Sequence, residues 1–75
     1  MNKRPVMSAQ DFYNSLLRYG CVPVKTRGSH FVTENPKNGK RAPVPVHSGN
    51  DINRGFMQRI LSELGIDIDD FMDSI

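Results

Sequence analysis

The sequence predicts a small α+β domain of order α-β-β-β-α, closed by a short C-terminal helix. Three observations carry that reading. Apolar residues recur at helical spacing near both ends, the stretch between them alternates every second residue, and Gly-Ser and Asn-Gly pairs divide it into three strands. The chain has 75 residues, and one this short buries only about 60% of its unfolded surface, which leaves room for one core. Residues 1–75 are therefore read as a single domain with a loose basic arm at 1–7.

Ser8 stands where an N-cap belongs, with Asp11 three residues on as a shortened capping box. Phe12, Leu16 and Leu17, flanked by Tyr13 and Tyr19, fall at helical spacing, and Gly20 is a stop signal. The first helix is thus expected over 9–19. From Cys21 the period is two: Val22, Val24 and Thr26 alternate with Pro23, Lys25 and Arg27. Gly28-Ser29 predicts a type II′ hairpin turn into a strand at 30–35, and Asn38-Gly39 a type I′ turn into a third strand at 41–47.

These turns imply a register. A two-residue turn at Asn38-Gly39 sets Lys37 against Lys40, Thr33 against Val44, Phe31 against Val46 and His30 against His47. Pro36, Pro43 and Pro45 then occupy non-hydrogen-bonded sites, where a missing N–H does no harm. The Gly28-Ser29 turn pairs Arg27 with His30, Thr26 with Phe31 and Val24 with Thr33. Val22, Val24, Thr26, Phe31, Thr33, Val44 and Val46 are expected on the core face. Lys25, Arg27, His30, Val32 and His47 share the other. Pro23 is a misfit opposite Glu34, so either the ladder ends near Val24 or the first turn exceeds two residues.

Ile52, Phe56, Ile60 and Leu64 repeat at i+4 with Met57 and Leu61 beside them, an amphipathic helix starting near Asn53 and stopped by Gly65. Asp67 caps a last short helix carrying Ile68, Phe71 and Met72. Both main helices are expected on the apolar face of the three-stranded antiparallel sheet. That is the topology of double-stranded-RNA-binding domains, although a fold alone does not give function.

The formal net charge is only +2, but it is unevenly distributed. Residues 1–59 hold all ten Lys and Arg with Asp11, Glu34 and Asp51, giving +7; residues 60–75 hold five acids and no base, giving −5. Such asymmetry suits a polyanion partner for the basic part. The acidic end reads either as a solvated helix face or as a surface that shields the body or meets a protein. No apolar run approaches the roughly 20 residues of a membrane span, and MNKRPVMSAQ lacks the apolar core of a signal peptide. A cytoplasmic protein without membrane association is expected. The lone Cys21 excludes an internal disulfide and fits a reducing compartment.

Chemistry must then come from two histidines, hydroxyls, acids and bases. His30 follows the Gly-Ser turn beside Arg27 and near Lys25, and cationic neighbours favour a neutral imidazole able to act as a base. RNA cleaves itself when its 2′-hydroxyl attacks the adjacent phosphorus. That reaction needs a base, a proton for the leaving oxygen and positive charge for the phosphorane. No metal-ligand spacing accompanies His30 or His47, and no glycine pattern resembles a phosphate loop, so no metal or small-molecule cofactor is expected. Lys25, Arg27, Lys40, Arg41, Arg54 and Arg59 are candidates for tracking a phosphate backbone, with Asn53, Arg54 and Gly55 at a helix N-terminus. Tyr13 and Tyr19 are available for stacking on bases or for packing the helix onto the sheet.

Four stretches together resemble the HicA-type toxins: Leu16-Leu17-Arg18-Tyr19-Gly20, Lys25-Thr26-Arg27-Gly28-Ser29-His30, Val44-Pro45-Val46-His47, and Arg54-Gly55-Phe56-Met57-Gln58-Arg59-Ile60-Leu61 followed by Gly65. The match spans about residues 8–72. It implies a small mRNA interferase of a toxin–antitoxin pair, a single catalytic histidine at His30, and neutralisation by a HicB-type antitoxin. On this reading Lys25, Arg27, Ser29, His47 and Arg54 contact RNA, and His47 is a candidate for the second proton transfer. The rivals are a non-catalytic RNA-binding or adaptor domain using the same basic face, and a protein-interaction module docking through its acidic tail.

Overall fold

Side-chain caps set the helix boundaries where the sequence signals place them. Ser8 Oγ accepts the Asp11 N–H at 3.0 Å and opens α1, Ala9–Tyr19. Asn53 Oδ1 accepts the Phe56 N–H at 2.9 Å and opens α2, Arg54–Leu64. Asp67 Oδ2 accepts the Asp70 N–H at 3.1 Å and opens α3, Ile68–Asp73. Each cap satisfies one of the four N–H groups that a helix start leaves without an internal partner. The computed structural model describes residues 7–28, 30–46 and 51–75. Ser29, His47 and all but the last residue of the expected arm lie outside them.

Between α1 and α2 stand the three predicted strands, β2 at Val22–Arg27, β3 at His30–Asn35 and β4 at Lys40–Pro45, in antiparallel order β2-β3-β4. The architecture is the expected α+β one: a helix, a three-stranded sheet, then two helices. A further short pairing joins β1, Met7–Ser8, to β5, Asp51–Ile52, with Met7 opposite Ile52. Met7 packs against the core, so the arm expected over 1–7 does not include it. The core gathers Phe12 and Leu16 from α1, Ala42 and Val44 from β4, Met57, Leu61 and Leu64 from α2, and Phe71 from α3.

Two details of the sheet depart from the expected register. The β3–β4 connection is four residues long, Pro36 to Gly39, so Asn35 faces Lys40, Thr33 faces Ala42, Phe31 faces Val44 and His30 faces Pro45. The turn begins at Asn35, whose carbonyl accepts the Asn38 and Gly39 N–H groups at 3.2 and 2.8 Å. Pro36 presets φ for the second position of such a turn. Asn35 Oδ1 also takes the Lys37 N–H at 3.1 Å. Those local bonds outweigh the Asn-Gly signal. The slip is two residues, so faces are kept while partners change, and His47 is not the cross-strand partner of His30.

The second departure is a bulge in β2 between Pro23 and Lys25. Arg27 faces His30 and Thr26 faces Phe31 as expected, but Pro23 stands opposite Thr33 in place of Val24. An extra residue in the edge strand resolves the Pro23 misfit, and neither expected explanation was needed. Val22 and Val24, expected in the core, are 42% and 40% exposed, and all of β2 is exposed. The reason is position: α2 packs chiefly on β4, at the opposite edge of the sheet.

Candidate functional site

Successive residues of a strand point to opposite faces, so residues two apart share one. His30 and Val32 of β3 therefore lie on the sheet face away from Phe31 and Thr33, which pack into or against the core. Their cross-strand partners bring Arg27 and Lys25 on one side, and Pro45 and Pro43 on the other, to that same face. Directly opposed residues hold their Cβ atoms about 5 Å apart, so the Arg27 side chain starts beside the imidazole. His30 is exposed at the first position of β3. The expected placement of Lys25, Arg27 and His30 on one sheet face thus holds in the structure. Among the described residues, no carboxylate forms an ion pair with Lys25 or Arg27.

On the far side of His30 the sheet edge and α2 enclose a cleft of about 190 Å³. Pro43 and Pro45 form its β4 wall; Phe56 and Ile60 form its helical wall, one turn apart. His30, Arg59 and Glu63 supply its polar groups. Arg59 Nε lies 3.7 Å from Glu63 Oε2, an i,i+4 pair with the Arg59 side chain largely and the Glu63 side chain about half in solvent. Such a pair is worth only about 0.3–0.5 kcal/mol, so either partner can turn to a ligand at small cost. The assembly of these groups around His30 was not predicted. Arg59 was expected as one of several candidates for tracking a phosphate backbone, Glu63 as part of an acidic tail, and Phe56 as core. Only the i,i+4 spacing of opposite charges was there to be noticed.

Other expected contributors lie elsewhere. Arg54 is exposed at the first position of α2 and does not line the cleft. Arg41 shares the His30 face, but its Nε donates to Glu34 Oε1 at 2.7 Å, which offsets its charge locally. Both tyrosines are engaged in packing: Tyr13 meets Phe31 edge-on with centroids 5.1 Å apart, and Tyr19 meets Phe71 at 5.7 Å. Cys21 is buried, and desolvation pushes its thiol above the ordinary range, away from nucleophilic use. Among the described residues no three His, Cys, Asp or Glu side chains gather as metal ligands would. No helix among them is long and apolar enough to cross a membrane.

A family model described as the HicA toxin of bacterial toxin–antitoxin matches residues 9–66, from the start of α1 to just past the end of α2. No curated protein matches the chain.

Proposed function

The chain belongs to the HicA toxin family of bacterial toxin–antitoxin systems, and from that premise we propose that it is a metal-independent endoribonuclease that cleaves mRNA at His30. The observation that carries the reading is the position of His30, between the cations of β2 and a cleft bounded by α2. The imidazole acts as general base on the 2′-hydroxyl, or as general acid toward the 5′-oxygen. The 2′-oxygen forms a bond to phosphorus, the bond to the 5′-oxygen breaks, and the fragments carry a 2′,3′-cyclic phosphate and a 5′-hydroxyl. Arg27 and Lys25 neutralise the phosphorane, where charge develops in the transition state.

Ser29 adjoins His30 in the chain, and His47 follows two residues after Pro45, which faces His30. Both are assigned RNA contacts, with the second proton transfer a role for His47; Arg54 extends the phosphate track along α2. A HicB-type antitoxin would silence the enzyme by covering the His30 face. Replacing His30 by Ala tests the reading. General acid–base catalysis contributes about 10²–10⁴-fold, so RNA cleavage and growth inhibition should fall by at least about 100-fold, with fold and antitoxin binding retained. A His30→Ala variant that still cleaves would remove His30 from the mechanism. Salt-dependent RNA binding by a wild-type protein that never cuts would leave a non-catalytic RNA-binding domain.

A further inference from the structure

The cleft between β4 and α2 differs in chemistry from the rest of the His30 face. On the β2 side, Lys25 and Arg27 present positive charge that no carboxylate among the described residues pairs. On the other side of His30, Arg59 and Glu63 cancel each other, and the walls are Pro43, Pro45, Phe56 and Ile60. A phosphate would be drawn to the first surface and gain little at the second, where the Arg59–Glu63 pair is close to neutral. A neutral, flat, aromatic group with a polar edge suits the second. Unstacked bases of single-stranded RNA are such groups, and proteins take them by apolar or aromatic contact to the ring and hydrogen bonds to the edge.

We propose that this cleft is a nucleobase subsite for the nucleotide next to the phosphodiester at His30, and that Glu63 selects an amino-bearing base. The inference rests on the RNA-cleaving reading for its substrate class and adds the recognition of one base. An ionised carboxylate only accepts hydrogen bonds. At the exocyclic position it therefore favours cytosine, adenine or guanine, each with an amino group, over uracil, which presents O4 where cytosine has its amine and keeps only the ring N3–H as a donor. Arg59, one turn before Glu63 on the same helix, is its weak ion-pair partner and offsets the carboxylate's charge at the cleft. Phe56 and Pro45 contact the ring.

Cytosine and uracil share ring size, so oligocytidine and oligouridine hexamers isolate the edge contact. Both are 2′-O-methylated to block self-cleavage, and binding is read by fluorescence anisotropy on the full chain. Wild-type protein should bind the cytidine hexamer more tightly by about tenfold, the worth of one hydrogen bond to a charged acceptor. Glu63→Gln, which offers donor and acceptor alike in the same volume, should reduce that ratio to about one, with a circular dichroism spectrum like that of the wild type. Because the ratio is compared, the lost negative charge, which acts on both hexamers equally, drops out. Equal affinities in the wild type, or a ratio unchanged in Glu63→Gln, would overturn the subsite. The readout needs no cleavage. A protein that fails to cut RNA but keeps the ratio retains the subsite and loses the enzyme; one that cuts without the ratio does the reverse.

Discussion

Leu64 ends α2 with a carbonyl that two asparagines share. Asn35 Nδ2 donates to it at 2.9 Å and Asn38 Nδ2 at 3.1 Å, tying the β3–β4 turn to the helix terminus. Gly65 follows in the left-handed region at φ +71°, and a Cβ there would lie 2.6 Å from Asn38 Nδ2. Replacing Gly65 by Ala strains the backbone and pushes away a donor that is already in use. The two effects together should cost about 1–2 kcal/mol. The urea midpoint should fall while the slope of the transition stays constant. An unchanged midpoint would mean that the Asn38 bond contributes nothing and that the turn is held by Asn35 alone. Gly65 was legible as a helix stop; that it also receives a turn from another part of the chain was not.

At the scale of elements, the sheet has a protected edge and an open one. Val44 of β4 is fully buried under α2, whereas Val24 of β2 stands at the bulge and is 40% exposed. The same substitution should therefore read very differently at the two sites. Val44→Thr places a hydroxyl in the core and should cost about 2 kcal/mol, while Val24→Thr should stay within about 0.5 kcal/mol. Equal losses in urea denaturation would show that β2 is packed more deeply than its exposure indicates. The alternation of Val22, Val24 and Thr26 is a sound strand signal, and β2 forms where it was expected. Alternation does not say whether a strand lies beneath a helix or at the rim beyond it. A bulge also breaks the period-two rule at the residue it inserts.

For the whole molecule, the issue is how far the charge of one end reaches. The chain measures 36 × 27 × 18 Å. Phe71 is buried edge-on against Phe12, ring centroids 5.5 Å apart, which anchors α3 while Asp69, Asp70 and Asp73 remain exposed. The Debye length is about 30 Å at 0.01 M salt and about 8 Å at 0.15 M. Asp69, Asp70 and Asp73, unlike Glu63 in the cleft, are therefore expected to act on the His30 face at low salt and to be largely screened from it at physiological salt. Neutralising Asp69, Asp70 and Asp73 to Asn should raise affinity for single-stranded RNA severalfold at 0.01 M salt, and the gain should fade by 0.15 M. No gain at low salt would leave the acids as a solvated helix face. Any loss of antitoxin affinity in the same variant would assign them to that interface.

Helix limits, caps, strand order and the membership of His30, Lys25 and Arg27 in one polar face were determined by the sequence alone. Each depends on residues within about four positions of one another or on the period of a strand, and such signals survive without knowledge of the rest of the chain. Tertiary structure alone decided the exposure of β2 and the cleft beside His30, and it reinforced the turn that local bonds start at Asn35. The turn is fixed in part by bonds to Leu64, 29 and 26 residues away. The cleft exists because α2 lies along β4 and carries Phe56, Arg59 and Glu63 to the edge where His30 and Pro45 pair. Residues so far apart in the chain become neighbours only when the core closes, and no local pattern encodes which edge of the sheet a helix will cover.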